Sequence, residues 1–180
     1  MFKRFLAAAA VTLTVGAPAF AADSGNLQTF RAVQKQVLQY PHFTIFDNVD
    51  VQVNDGAVTL LGNVTMPYKR EDIEKRIQKV TGVSRVDNRL EVLPVSQFDD
   101  QLRLGIAHAI YSNPAFRGMV SMVNPPIHVI VEHGHVTLDG VVMNDVDRAI
   151  ARSIAGNFPA FSIRNELKTE AEVQRELEQL

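Results

Sequence analysis

Four residues in one short stretch of the 180-residue chain carry metal-ligand chemistry: His128, Glu132, His133 and His135. Imidazole and carboxylate are ligand types that zinc and copper accept. Alternation along a strand puts His128 and His135 on one face, while His133 falls in a turn. A near copy of this segment occurs earlier in the chain, with Asp50, Asn54, Asp55 and Ala57 at the corresponding positions. A solvent-exposed or internally hydrogen-bonded set of histidines is therefore the alternative to a metal site, and no cofactor is implied. Catalysis has less to work with. There is no cysteine, no serine in a nucleophile-elbow pattern, and the carboxylates are scattered over helix surfaces with no cleft to set acid and base roles. No catalytic residue is assigned, and the chain reads as a non-enzyme.

Two stretches carry binding chemistry. The helix KREDIEKRIQK places Lys69, Arg70, Lys75, Arg76 and Lys79 among Glu71, Asp72 and Glu74, with Arg85 and Arg89 on the strand that follows. Those cations form a candidate patch for anionic phospholipid headgroups; pairs such as Glu71–Lys75 would instead make a solvated helix face. The second stretch, RGMVSMVNPP, puts Met119, Val120, Met122 and Val123 in a loop. Loops are usually polar and methionines adapt to varied surfaces, so this is a candidate apolar docking loop for a membrane or an unfolded client. It could equally fold over the core or a domain interface.

The elements that must position these residues are made twice. NDGAVTLLGNV (Asn54–Val64) and EHGHVTLDGVV (Glu132–Val142) share the glycine pairs Gly56/Gly134 and Gly62/Gly140. Upstream, Val33, Val37, Pro41 and Phe43 match Ile106, Ile110, Pro114 and Phe116; downstream, Arg70 matches Arg148, and Val86, Asn88 and Leu90 match Ile163, Asn165 and Leu167 across a one-residue gap. Duplication of a whole domain accounts for this. The period in the first copy predicts a helix over Phe30–Tyr40 and a strand through Val49, Val51 and Val53. It then predicts a tight Asp55-Gly56 turn, a return strand through Val58, Leu60 and Val64, a helix started near Thr65 and Pro67 and ended by Gly82, and a strand over Val86–Val92. The predicted class is α+β: two repeated α-β-β-α-β domains, each a three-stranded sheet with two helices on one face, plus a short C-terminal helix. The open faces would carry Asp50, Gln52, Thr59, Leu61 and Asn63 in the first copy, and His128, Ile130, His135, Thr137, Asp139 and Val141 in the second. Gly56 and Gly134 are expected to permit turns. Gly62 and Gly140 are expected to let a helix approach the sheet. At this size each copy is near the lower limit for an independent core, so the two are expected to lean on each other.

The hairpin DGAVTLLGNV, a helix containing an arginine, and then GVSRVDNRLEV resemble the BON (bacterial osmotically-inducible and nodulation) domain. The resemblance rests on Gly56, Gly62, Arg70, Gly82-Val83 and Asn88 in the first copy; in the second, Ala160-Phe161 replaces the Gly-Val pair and an insertion precedes the first strand. It implies a non-enzymatic protein attached to phospholipid membranes, periplasmic stress protection, and a chaperone-like role in some members.

The ends fix the expected compartment. Lys3-Arg4, an apolar run from Phe5 to Val15 and the Ala19-Phe20-Ala21 cleavage signature read as a signal peptide over 1–21, sending the chain to the periplasm. A linker over 22–29, domains over 30–95 and 98–168, and a helix over 169–180 follow. Thr169 and Glu172 stand in capping-box spacing, ahead of a Val173, Leu177 and Leu180 stripe. Removing Lys3 and Arg4 leaves 16 basic against 20 acidic residues, net −4, which opposes non-specific nucleic-acid binding. The first copy is nearly balanced and the second acidic. Expected partners are an anionic phospholipid membrane or envelope proteins, with no nucleic acid and with an oligomer possible. The rival function is a chaperone or adaptor binding polypeptide without lipid.

Overall fold

The computed structural model describes residues 24–178; the expected signal peptide and Leu180 lie outside them. The first unit runs α1 (Ser24–Leu38), β1 (Asn48–Asn54), β2 (Ala57–Val64), α2 (Pro67–Ile77), β3 (Arg85–Asn88) and β4 (Glu91–Val92). The second repeats it as α3 (Gln97–Ser112), β5 (Ile127–Glu132), β6 (His135–Val142), α4 (Asp145–Ala155), β7 (Ser162–Asn165) and β8 (Lys168–Thr169), and α5 (Glu170–Glu178) closes the chain. In each unit the hairpin is antiparallel and the last strand runs parallel to the middle one. Valines and isoleucines at alternate strand positions meet the apolar faces of the two helices, in one buried cluster per unit.

Some boundaries differ from the sequence expectation for identifiable reasons. Helix α1 begins at Ser24, inside the expected linker, and stops at Leu38 because a residue before a proline, here Tyr40 before Pro41, is pushed out of the helical region. The expected third strand is broken in two. Asn88 turns its side chain back to accept from the Leu90 amide, and its own amide donates to the Arg70 carbonyl on α2; Asn165, Leu167 and Arg148 repeat the device. Buried Leu90 and Leu167 sit just past these breaks. The shared Asn and Arg are thus a stitch between last strand and second helix.

The turns behave as the Asp-Gly signal predicts: Asp55 and Gly56 have φ of 47° and 77°, and His133 and Gly134 have 50° and 79°. Each turn is tied to the start of the first helix of its unit. The Asn26 side chain accepts from the Asp55 amide, and buried Asp99 at the same place in α3 accepts from the His133 and Gly134 amides at 2.9 and 2.7 Å. For Gly62 and Gly140 the expected reason is corrected. Their φ values are +111° and +127°, and a Cβ would meet the carbonyl oxygen of Asn48 or Pro126 in the paired segment at 2.5 or 1.9 Å. The obstacle is the neighbouring backbone in the sheet, with no helix involved.

Candidate functional site: a basic groove and a buried seam

Of the seven cations expected in one patch, the structure removes Lys69 outright. Its side chain lies beneath α2, 4% exposed, with Nζ 2.6 Å from Asp47 Oδ2 and 2.7 Å from Thr65 Oγ1. Asp47 is fully buried, and its two oxygens accept the amides and hydroxyls of Thr44 and Thr65 besides the lysine. A charge so enclosed costs several kcal/mol to leave unpaired, roughly, so Lys69 has no freedom to meet a headgroup. Thr65 is likewise spent on Asp47; the residue flanking α2 is Met66, with no side-chain cap and Pro67 in the first turn.

The remaining cations divide. Arg70 donates to the Asn88 carbonyl and Arg89 pairs with Asp87 at 2.7 Å, both on the strand side of α2 together with exposed Arg85. Lys75 stands 3.4 Å from Glu71 on the outer face. Arg76 and Lys79 turn toward α1. There they line a groove of about 740 Å³ with Lys35, Gln28, Gln36, Thr81 and Gly82 among its walls. Arg76 is fixed by a bond to the Gln39 carbonyl and by its position 5.6 Å over the Tyr40 ring. The Tyr40 hydroxyl is pushed far up from its ordinary pKa by burial and by donation to Asp72. Among the described residues, no acidic one lines this groove. The acids of α2 are engaged elsewhere: Asp72 with Tyr40, Glu71 with Lys75, and Glu74 with Gln78 and Asn88.

The face expected to be open in the second unit is covered by the first. His128 and Asp139, each 2% exposed, and Ile130 are buried where residues 43–48 lie against them. The Val129 amide donates to the Ile45 carbonyl at 2.7 Å, Ile45 and Phe46 pack on the second core, and Asn124 reaches the Leu38 carbonyl. His128 Nδ1 is 2.6 Å from the Asp47 carbonyl, which only accepts, so Nδ1 carries the proton. Burial holds the His128 pKa below its ordinary value. Asp139 accepts from Asn48, and burial, with the Asp50 charge adding to it, pushes its pKa up to about 7. The histidines weighed as candidate metal ligands are not brought together. His128 is in this seam, His135 Nδ1 is 2.7 Å from Ser162 Oγ, and exposed His133 is 3.9 Å from Glu132. No group of three or more His, Cys, Asp or Glu able to hold a metal forms among the described residues.

The same module built twice, with hairpin, clamped arginine helix and broken last strand, is matched by the family model "BON domain" over residues 29–94 and again over 113–177. The chain belongs to the BON domain family. BON domains are membrane- and envelope-associated modules and generally non-catalytic. No curated protein matches the chain. Among solved structures it is similar to the C-terminal domain of CdsD, the structural protein of the type III secretion system of Chlamydia trachomatis. That match has 17% identity and a TM-score of 0.34, covering 82% of this chain and 67% of that one. A second CdsD structure gives 13% identity and a TM-score of 0.28, covering 84% and 97%.

The two BON units differ most at their surfaces. The strand register puts Phe161 opposite the hairpin turn where the first unit has Ser84: both amides donate to the turn glycine, at 2.9 and 2.8 Å. Pro159-Ala160 therefore occupies the place of Gly82-Val83, one residue from the alignment read in sequence. Phe161, 73% exposed, lies beside Phe98 and His135 over Gly134. The insertion of the second BON unit splits in role. Met119 packs on the core, Asn124 joins the seam, and Val120 and Val123 face out. The capping box forms as spaced: Thr169 Oγ1 accepts from the Glu172 amide and Glu172 accepts from the Thr169 amide. Arg148 binds Glu172 and Asp145, and Lys168 pairs with Glu176, holding α5 on its own BON unit. These ion pairs raise the Arg148 pKa; at Glu172 the capping bond from Thr169 leads in lowering it, and Arg148 adds to that. Sequence reasoning missed Asp47, Lys35, Asn26 and Asp99. Only the last pair left a signal, as polar residues at matching places in the two copies.

Proposed function

We propose that the protein is a non-enzymatic envelope component that attaches to anionic phospholipid surfaces through its first BON unit, with the second BON unit fixed against it. The observation that supports this most is charge segregation. Lys35, Arg76 and Lys79 line one groove with no acid among its described lining residues, whereas the acids of α2 are paired away from it. Cations near an anionic leaflet contribute about 1 kcal/mol each and are screened by salt. No described helix is long and apolar enough to cross a membrane, so attachment would be peripheral. The periplasm is the proposed compartment, from the signal-peptide pattern. A second function, capture of unfolded polypeptide, is favoured by exposed Phe161, Val120 and Val123.

Flotation with vesicles of phosphatidylcholine, alone or mixed with phosphatidylglycerol, at low and high salt tests the first function. Binding confined to the anionic vesicles and lost at high salt is expected. Equal binding to both kinds, or to neither, overturns it. Salt-insensitive suppression of aggregation of an unfolded protein would instead support the second.

A further inference from the structure

Surface charge alone would attract any anionic interface, but the groove between α1 and α2 has more definition than that. Resting on the attachment just proposed, we propose that it is a seat for one phosphodiester headgroup, a glycerophosphate carrying no cation of its own.

Three kinds of group converge there. Lys35 from α1 and Lys79 from just past α2 stand on opposite walls, and neither has a carboxylate partner among the described residues. Arg76 forms part of the wall, its guanidinium held by the Gln39 carbonyl and the Tyr40 ring while Nε is enclosed and unpaired. The third contribution is backbone. The Val80–Val83 turn closes with the Val83 amide donating to the Val80 carbonyl at 3.1 Å, a bond that leaves out the amides of its central residues, Thr81 and Gly82, both on the groove wall. Gly82 has φ +93°, and a Cβ there would strike Thr29 Oγ1 at 2.6 Å, so the turn is pressed against α1. Consecutive amides in such a turn make a concavity suited to an anion.

The C-terminal end of a helix ordinarily repels anions. Here the carbonyls of Glu74, Arg76, Ile77 and Val80 already accept the amides of Gln78, Lys79, Val80 and Val83. About 740 Å³ is in the range of small-molecule sites, roughly 300–1,000 Å³, and admits a headgroup rather than a bare ion alone. Three cations, with no acid among the described lining residues, disfavour a choline or ethanolamine, whose ammonium would be repelled.

The test uses the full chain and vesicles matched in surface potential. One set contains phosphatidylglycerol in phosphatidylcholine; the other gains its charge from oleate, a carboxylate. Expected are binding to the first set at least about tenfold tighter, and amide shifts at Thr81 and Gly82 on adding short-chain phosphatidylglycerol. Lys35→Gln and Lys79→Gln should each weaken binding by more than the roughly fivefold that one surface charge gives, while Lys75→Gln stays within it. Both replaced groove lysines are on the surface, and thermal unfolding checks that the variants fold. Equal binding to both vesicle sets, with all three lysines equivalent, overturns the seat and leaves charge-driven attachment standing. Binding to neither set overturns both. Shifts at Thr81 and Gly82 with inorganic phosphate but no vesicle binding overturn the lipid as the source of the phosphate.

Discussion

His128 and Asp139 are direct partners across β5 and β6, both buried in the seam between the BON units, and each keeps one side-chain atom, Nε2 and Oδ2, without a hydrogen bond. One is an imidazole held below its ordinary pKa, the other a carboxyl pushed up to about 7, and burial is the leading cause for both. Their effects on stability oppose each other in pH.

Asp139 binds a proton more tightly folded than unfolded, so between about pH 4 and 7 the folded state holds the extra proton and stability falls as pH rises. Asp139→Asn keeps the acceptor for the Gly140 amide and removes the ionisation. The variant is expected to match the parent in urea midpoint near pH 4. Above pH 7 it should exceed it by a few kcal/mol at most, about 2–4.

His128 works in the other sense: with its folded pKa lowered, stability is lost as pH falls below about 6.5. In Asp139→Asn that loss stands alone and should show as a midpoint falling from pH 6.5 downward. His128→Ala is expected to flatten this limb and to cost about 2–3 kcal/mol at pH 7.5 from the lost Asp47 bond and Phe43 contact. Limited proteolysis of the link at residues 93–98 should become faster in the alanine variant.

Breaking the Asp47–Lys69 pair leaves a buried charge. Asp47→Ala is expected to cost about 3–5 kcal/mol, and Lys69→Met less, because the aspartate retains four bonds from Thr44 and Thr65. Chemical denaturation at neutral pH gives both values. Lys69→Met should leave vesicle binding unchanged, since this lysine does not reach the surface.

The two mid-strand glycines should rank by clearance. Gly140→Ala, with a Cβ at 1.9 Å from the Pro126 carbonyl, is expected to be worse than Gly62→Ala at 2.5 Å from that of Asn48. Each adds left-handed strain of about 1–3 kcal/mol to the clash. Thermal midpoints in the same buffer decide the order.

Thr169→Ala removes one half of the capping box and should cost about 1 kcal/mol. Hydrogen exchange is expected to speed up along α5 and to stay unchanged in the first BON unit.

Much of this fold was legible because its determinants are local. Asp55-Gly56 and His133-Gly134 announce their turns, alternation marks the hairpins, and Thr169 with Glu172 marks the last helix. The Gly62 position was legible while its cause was not, since the clash is with Asn48, across the hairpin. Lys69 was misplaced because nothing in KREDIEKRIQK says which cation turns inward; that depends on Asp47, which is brought under α2 only by folding. The groove needed Lys35, from another helix, and the seam needed residues 43–48 to meet a sheet face more than eighty positions later. Such pairings leave no periodic trace in one sequence.

The seam joins unlike surfaces, a loop of the first BON unit on a strand of the second, and contacts of that head-to-tail kind can in principle continue from molecule to molecule without end. At the place where the first unit has residues 43–48, the second carries the longer Arg117–Pro126 segment, whose Met119 is drawn into its own core. The loop of residues 43–48 that makes the seam is therefore not duplicated with the domain. A head-to-tail copy of this seam would need that loop again, and the second BON unit has the insertion in its place.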